Sequence, residues 1–202
     1  TFGDFPVSDF TGGTPPACML FWGHNPLNSG PDGETRFDVR EALDHNPEII
    51  VVDPRETELA RRAAVWLQLR PGTDDALALA LLNVIIDEKL YDAPFVTRWT
   101  YGFDALAEHV RAYTPEWAEP ITWVPADKIR AAARLFARAK PAMMEWGCAI
   151  EHTPNCIQTV RAISLLPAIT GNIDVPGGWV FGMHGIGRFP SLIENLTPEA
   201  NA

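Results

Sequence analysis

Polar and glycine residues follow four apolar runs of this sequence, each at the point where the run stops. The four stretches are GHNP at 23–26, DPR at 53–55, RPGTD at 70–74 and WGC at 146–148. Apolar runs that end in this way are typical of buried strands that enter loops. Because ligands bind beyond the carboxyl ends of the strands in parallel sheets, the pattern predicts that these residues converge on a ligand.

Two aspartates at these ends have side chains suited to a nucleoside. Asp53 ends the second apolar run, where an acid commonly accepts hydrogen bonds from ribose hydroxyls; it could instead, or in addition, be the N-cap of the following helix. Asp74 lies one residue inside a predicted helix. Its carboxylate could accept the N–H and NH₂ edge of guanine, or it could only complement the helix dipole. The loop after the first run is neither a G-x-G-x-x-G fingerprint nor a P-loop.

The remaining residues of these loops are compatible with several roles. Arg55 could pair with a phosphate or be a solvated arginine, and Gly23 and Gly72 allow close backbone approach. Asn25-Pro26 predicts a turn, with the Asn25 amide free to bond a diphosphate or ribose. His24 has no serine or cysteine with a matching acid nearby, so we interpret it as a hydrogen-bond partner. The sequence identifies no catalytic residue and no metal ligand.

Strands and helices alternate along the chain. We predict strands at 17–22, 49–52, 65–69 and 142–146, and helices at 34–46, 56–64, 72–90, 124–140 and 155–172. Continuous apolar runs such as the second strand are typical of parallel strands buried on both faces. The alternation therefore predicts an α/β, Rossmann-like three-layer domain with a mostly parallel sheet, joined by right-handed crossovers and carrying a helical insert at about 91–140.

The 202 residues are enough for one good-sized domain. We predict a lead-in loop at 1–16, the α/β domain at 17–176 and an extended C-terminal segment at 177–202, which begins in a glycine-rich run without period. The sequence lacks a starting methionine, so we expect a piece of a longer protein; the alternative is a whole protein with a cleaved tag.

Composition excludes several classes of partner. A formal net charge of −10 argues against nucleic acid and anionic membranes, and no apolar run is long enough for direct membrane insertion. We expect a soluble chain, and the sequence leaves its compartment open because it carries no targeting segment. The cysteines Cys18, Cys148 and Cys156 form no C-x-x-C and are too few for a thiolate cluster. Cys18 is predicted to be a core residue.

Five stretches in fixed order resemble one family. They are WGHNPLNS (22–29), IIVVDPRETELA (49–60), LRPGTDDALALALLNVII (69–86), WGCAIEHTPN (146–155) and ITGNIDVPGG (169–178). Together they resemble the central dinucleotide-binding domain of the catalytic subunit of the molybdopterin oxidoreductases, the dimethyl sulfoxide reductase family. This family includes formate dehydrogenases, nitrate reductases and thiosulfate or polysulfide reductases. The resemblance covers nearly the whole chain after about residue 17.

The resemblance implies that these loops bind molybdopterin guanine dinucleotide carrying molybdenum or tungsten. It gives Asn25 the main polar contact of the first loop, and it puts Asp74 on the guanine edge. Glu151 would reach toward the pterin and metal, although many members have glutamine there. The residues implied are Trp22, Gly23, His24, Asn25, Pro26, Asn28, Ser29, Asp53, Pro54, Arg55, Thr57, Gly72, Thr73, Asp74, Trp146, Gly147 and Glu151.

The same resemblance implies a larger enzyme. The family's N-terminal [4Fe-4S] cysteines, its metal-ligand segment and its C-terminal barrel are not in this sequence, so we expect no turnover from this piece alone. Its partners would be the remaining domains of the same subunit and an iron–sulfur electron-transfer subunit. The implied activity is two-electron redox of a small substrate such as formate, nitrate, thiosulfate or polysulfide. The alternatives are a non-catalytic nucleotide-binding or interaction domain and a non-redox, hydratase-type member.

Overall fold

The four predicted strands form one parallel sheet. The computed structural model describes residues 7–10, 13–29 and 34–180. Its strands are β1 (Val7–Ser8), β2 (Cys18–Trp22), β3 (Glu48–Val52), β4 (Val65–Leu67), β5 (Ala142–Trp146) and β6 (Trp179–Val180). The parallel sheet has the order β4-β3-β2-β5, with Cys18 opposite Ala142 and Trp22 opposite Trp146. The predicted fold class is confirmed, although β4 ends two residues before the predicted position 69.

Helices fill the connections between these strands. In the described residues they are α1 (Pro26–Ser29), α2 (Glu34–Leu43), α3 (Glu58–Arg62), α4 (Asp74–Asp87), α5 (Ala93–Trp99), α6 (Phe103–Val110), α7 (Pro115–Thr122), α8 (Ala126–Arg138), α9 (Cys148–Glu151) and α10 (Cys156–Ile169). The predicted helical insert corresponds to α5–α8. Each predicted helix is present and is shorter than its predicted range. None of the helices in the described ranges is long and apolar enough to cross a membrane.

The sheet is covered on both faces, which makes three layers. Side chains alternate along a strand, so Leu20 and Trp22 pack with α4, α8 and α10, whereas Met19 and Phe21 pack with α1, α2 and α3. All five residues of β2 are buried. This burial on both sides explains why β2 and β3 are continuous apolar runs rather than alternating ones.

A short antiparallel ribbon joins the two ends of the described chain. Val7 pairs with Val180 and Ser8 with Trp179, and the Ser8 hydroxyl donates to the Met144 carbonyl at 2.9 Å. The predicted lead-in loop at 1–16 and extended segment at 177–202 did not include this pairing, because two-residue strands carry no readable period. Residues 1–6, 11–12, 30–33 and 181–202, including most of the predicted extended segment, lie outside the described residues.

Candidate functional site

The end of β2 and the start of α4 are joined by one buried hydrogen bond. The Trp22 indole Nε1 donates to Asp74 Oδ1 at 2.8 Å, and Asp74 is only 9% exposed. Burial raises the pKa of the Asp74 carboxyl above its ordinary range; the Trp22 bond opposes that rise, and the neighbouring Asp75 charge adds to it. Because a carboxylate has about four acceptor sites, the indole leaves capacity for further donors at this edge of the sheet.

Two side chains at the start of α4 make bonds that the sequence pattern does not indicate. Thr73 occupies the N-cap position but makes no side-chain capping bond; its hydroxyl instead donates to the Arg70 carbonyl at 2.7 Å and closes the loop. Asp75 is half-buried, and its Oδ2 accepts from Asn155 Nδ2 at 2.9 Å. The bond between Asn155 and Asp75 links the start of α4 to the start of α10. Gly72 has a φ of +82°, with nothing within 4 Å of an added Cβ.

The exits of β2 and β5 touch through their backbones. A Cβ added to Gly147 would lie 2.3 Å from the Gly23 carbonyl oxygen, and the Gly147 N–H donates to the Trp22 carbonyl at 3.0 Å. Gly23 has a φ of +57°, and its own added Cβ would lie 3.3 Å from Ala149 Cβ. These contacts require glycine at both positions for packing within the chain, in addition to the close ligand approach that the sequence predicts.

The same two exits bring a histidine and a glutamate together. His24 Nδ1 lies 3.3 Å from Glu145 Oε2, without the geometry of a hydrogen bond. Sequence reasoning missed Glu145. The signal was an acidic residue inside the otherwise apolar run AMMEW of β5.

A cleft of about 290 Å³ lies beside Glu145, between β5, the β1–β6 ribbon and α2. Trp146 and Glu151 line it, and the Trp146 indole donates to Glu151 Oε1 at 3.0 Å. Trp146 also packs edge-on against Trp179, with ring centroids 5.4 Å apart. A larger cavity of about 370 Å³ lies among α4, α6, α7 and α8, away from the carboxyl ends of the strands. The smaller cleft is the one that adjoins the predicted site residues.

The exits of β3 and β4 are held by bonds among their own residues. Asp53 is 2% exposed, and its Oδ1 accepts from the Arg55 backbone N–H at 2.8 Å. The Trp66 indole donates to the Asp53 carbonyl at 2.9 Å, and Gln68 Nε2 donates to the Pro54 carbonyl at 3.0 Å. These bonds fix the loop whether or not a ligand is present.

The N-cap alternative for Asp53 is wrong, because another residue caps α3. The Thr57 hydroxyl accepts from the Ala60 N–H at 3.1 Å. The Asp53 carboxylate accepts from the Arg55 N–H instead, and its nucleoside role stays a prediction. The Arg55 side chain is 74% exposed, and its Nε lies 3.4 Å from Asp53 Oδ1.

The predicted turn at Asn25-Pro26 is a single helical turn. The Asn25 carbonyl accepts from the N–H groups of Asn28 and Ser29 at 3.0 and 2.9 Å, and Asn25 Oδ1 accepts from Asn28 Nδ2 at 3.4 Å. Pro26 is buried, whereas Asn28 and Ser29 are exposed. The carbonyl side of Asn25 is thus occupied by α1 itself.

Cysteines and acids do not assemble into a metal centre within the described ranges, where no group of three His, Cys, Asp or Glu side chains is placed to hold a metal ion. Cys18 is fully buried, as predicted, and burial raises the pKa of its thiol, with the Glu48 charge adding to the rise. Cys148 is exposed and Cys156 half-buried, and both are free thiols.

Comparison with known proteins identifies relatives over nearly the whole chain. A family model described as molybdopterin oxidoreductase matches residues 16–199. Acetylene hydratase of Syntrophotalea acetylenica is 38% identical over 183 residues, which are 90% of this chain and 24% of the hydratase. Formate dehydrogenase H of Escherichia coli is 40% identical over 167 residues, 83% of this chain and 23% of that enzyme.

A solved structure has the same fold. Acetylene hydratase from Pelobacter acetylenicus superposes with a TM-score of 0.80 and 37% identity, over 89% of this chain and 24% of that one. The chain therefore spans about a quarter of the length of the curated relatives it matches.

Proposed function

This chain belongs to the molybdopterin oxidoreductase family, and we propose that its residues 17–176 form the domain that binds the guanine dinucleotide of a molybdenum or tungsten pterin cofactor. The observation that carries the proposal is Asp74. Its carboxylate is buried at the carboxyl edge of the parallel sheet and receives one side-chain bond, from Trp22. A buried carboxylate that keeps acceptor capacity fits a ligand that offers hydrogen-bond donors.

Guanine fits this carboxylate better than adenine does. The guanine edge offers two adjacent donors, N1–H and N2–H₂, which match the two oxygens of a carboxylate. Adenine presents a ring acceptor beside its amino group, so one carboxylate oxygen would face a lone pair. Bidentate bonds to an ionised acceptor are among the strongest that proteins form. Asp74 is therefore the residue that selects the base.

The other loops supply the rest of the binding site. Asp53 and Arg55 lie at the β3 exit and would contact the guanosine and its phosphate, while Thr57 holds the following helix in place. The amide of Asn25 would contact the diphosphate. Trp146, Gly147 and Glu151 would face the pterin. When bound, the metal–pterin group supplies the redox chemistry, and the protein supplies binding and orientation.

The activity of the complete protein follows from this assignment. We propose two-electron redox of a small substrate such as formate, nitrate, thiosulfate or polysulfide. A [4Fe-4S] cluster would lie in a preceding segment, with the other domains of the subunit and an iron–sulfur subunit as partners. A second candidate is a non-redox, hydratase-type reaction, since acetylene hydratase is 38% identical over 90% of the chain, which is close to the 40% of formate dehydrogenase H over 83%. A third candidate is a non-catalytic nucleotide-binding domain of the same fold.

The test is Asp74→Asn in the complete natural protein that carries this chain. Asparagine keeps one acceptor oxygen for Trp22 and replaces the other with a donor, which would meet a guanine N–H. We expect GMP released by acid hydrolysis, and molybdenum or tungsten per protein, to fall at least roughly tenfold, which needs only about 1.4 kcal/mol.

The matched control is Asp104→Asn. Asp104 is an exposed aspartate in the first turn of α6, so it reports the general effect of removing a helix-start charge. Equal cofactor content in the two variants would mean that Asp74 is only a helix-start acid. Absence of GMP from the wild-type protein, purified with its metal, would reject the guanine dinucleotide.

A further inference from the structure

His24 and Glu145 face each other beside the candidate site without forming a hydrogen bond. Their facing atoms, Nδ1 and Oε2, are 3.3 Å apart, and the side chains are 16% and 23% exposed. Within the described part of the chain neither atom has a hydrogen-bond partner. Buried polar atoms in native proteins nearly always have a hydrogen-bond partner. Two facing atoms that lack one therefore call for an explanation, such as a ligand that supplies the partner.

The sheet itself holds these two residues in place. Glu145 lies on β5 opposite Phe21, and Trp22 lies opposite Trp146, so His24 leaves β2 directly beside the end of β5. A Cβ added to Gly147 would lie 3.1 Å from His24 Cα, which shows how closely the two backbones approach. The imidazole and the carboxylate are therefore presented by rigid strand ends rather than by a loose surface loop.

The charge around the pair is unfavourable for an anionic ligand. The adjoining cleft carries the carboxyl groups of Asp38, Glu145 and Glu151, and the whole chain has a formal net charge of −10. A diphosphate near an unpaired Glu145 carboxylate would be repelled. A histidine that donates to Glu145 removes this obstacle, because it neutralises the carboxylate and still has a second nitrogen to offer.

We propose that Glu145 is a positioning residue that acts through His24 on the diphosphate of the dinucleotide. The imidazole donates from Nδ1 to Glu145 Oε2 and from Nε2 to a phosphate oxygen, so that a charged ring lies between two anionic groups. A carboxylate behind a histidine fixes how the ring is turned, as it does behind histidines that bind metals. This inference rests on the proposed function, since the ligand is the guanine dinucleotide.

The experiment is a double-mutant cycle in the complete natural protein with its cofactor. His24→Gln, Glu145→Gln and the double variant are compared for the rate at which the dinucleotide is lost, measured as GMP remaining on the protein after timed dialysis. Each single variant is expected to lose the dinucleotide roughly tenfold faster, which corresponds to about 1.4 kcal/mol. The double variant is expected to lose it no faster than His24→Gln, because Glu145 acts only through the histidine.

Two further variants separate positioning from structural support. Glu145→Asp keeps the carboxylate and is expected to recover part of the retention. Glu48→Gln removes an exposed carboxylate at the amino end of β3 and is expected to change nothing. The thermal unfolding midpoint is measured for every variant. If Glu145 had a purely structural role, Glu145→Gln would lower both the midpoint and the dinucleotide retention, with His24 present and with His24→Gln.

Two outcomes would overturn the inference. One is additive losses in the double variant, which would mean that Glu145→Gln still acts in the His24→Gln background. The other is unchanged retention in either single variant. If the wild type keeps GMP and Asp74→Asn loses it while the His24 and Glu145 variants keep it, only this inference fails. If the wild type carries no GMP, the proposed function fails first.

Discussion

The two pairs of strand ends that form the candidate site are built in opposite ways. At the β3 and β4 exits the polar groups bond to one another: Asp53 accepts from the Arg55 N–H, and Trp66 and Gln68 donate to the loop carbonyls. At the β2 and β5 exits the backbones are in contact, but His24 and Glu145 face each other unbonded. The first pair is complete by itself, whereas the second leaves the facing atoms of His24 and Glu145 without partners.

This difference separates groups that hold a loop from groups that are available to a ligand. A loop whose polar atoms are already bonded keeps its shape without a ligand and presents only what projects from it, here the exposed Arg55 side chain. A buried polar atom left unbonded is costly, and it is tolerated where a ligand supplies the missing partner. We therefore expect changes to the backbone contact between β2 and β5 to affect folding, and changes to His24 and Glu145 to affect binding.

Gly147→Ala is expected to have the largest effect on stability. Its Cβ would lie 2.3 Å from the Gly23 carbonyl oxygen, and the adjacent Gly147 N–H bonds Trp22, so neither backbone can move without breaking the sheet. We expect the free energy of unfolding to fall by about 3 kcal/mol, the upper end for overpacked sites. Denaturant unfolding of the 202-residue chain measures it.

Gly102→Ala is the control, because Gly102 has a φ of +80° but open space around an added Cβ. It should show only the cost of a left-handed alanine, about 1 kcal/mol. A smaller loss for Gly147→Ala than for Gly102→Ala would mean that the β2 and β5 exits can separate, and the contrast between the two pairs of exits would fail.

Trp22→Phe should have the next largest effect, because it removes the side-chain donor to the buried Asp74 carboxylate. A hydrogen bond to a charged group contributes about 1.5–3 kcal/mol, so we expect a loss of about 2 kcal/mol at neutral pH. The pH dependence identifies the cause. Folding raises the pKa of Asp74, and the Trp22 bond limits that rise; without the bond the pKa rises further.

The loss from Trp22→Phe is therefore fully present while Asp74 is ionised, and it shrinks as the pH falls and the carboxyl is protonated in both proteins. Unfolding measured at neutral and acid pH tests this. In an Asp74→Asn background, where no charge forms, Trp22→Phe should cost less and should show no such pH dependence. A loss that stays constant with pH would assign the effect to packing of the indole.

The fold could be predicted because its signals are local and repeated. The continuous apolar runs at 17–22 and 49–52 predict parallel strands, and the acids and apolar residues from Asp74 onward predict α4. The β1–β6 ribbon could not be predicted in this way, because its pairing of Val7 with Val180 depends on tertiary contact. Strand β4 was predicted too long, because Leu69 remains apolar and buried after the strand has ended.

The sequence predicts where the candidate site lies better than it predicts the hydrogen bonds within it. The rule that ligands bind at the carboxyl ends of parallel strands selects Asp53 and Asp74 without a structure. It does not say which side chains bond each other, so the cap at Thr57 and the Asn155 bond to Asp75 were missed. The apolar pattern of β5 predicts a strand and assigns no role to the acid inside it, so it does not single out Glu145.

Thr57→Ala should have a moderate effect on the free energy of unfolding. It tests the β3 and β4 exits, whose polar groups bond to one another. It removes the hydroxyl that accepts from the Ala60 N–H at the start of α3, and loss of such a cap typically costs about 1 kcal/mol. Thr57→Ser keeps the hydroxyl and should restore most of the unfolding free energy. Equal losses for alanine and serine would show that the methyl group of Thr57, rather than its capping hydroxyl, stabilises the start of α3.

Arg55→Gln should have the smallest effect on stability and the clearest effect on binding. The side chain is 74% exposed with Nε 3.4 Å from Asp53, and exposed ion pairs contribute about 0–1 kcal/mol. The Arg55 backbone N–H, which makes the 2.8 Å bond to Asp53, is unchanged, so we expect the unfolding free energy to stay within about 0.5 kcal/mol.

If Arg55 pairs with the phosphate, dinucleotide retention in the complete protein should fall in Arg55→Gln. Raising the salt concentration should then weaken wild-type retention more than that of the variant, because salt screens an exposed charge pair that only the wild type has. Arg61→Gln, one turn into α3 with a side chain of similar exposure, is the control for a general loss of positive charge. Retention that is equal in the Arg55 and Arg61 variants at every salt concentration would make Arg55 a solvated arginine. The β3 exit would then contribute only its shape and the Asp53 carboxylate to the site.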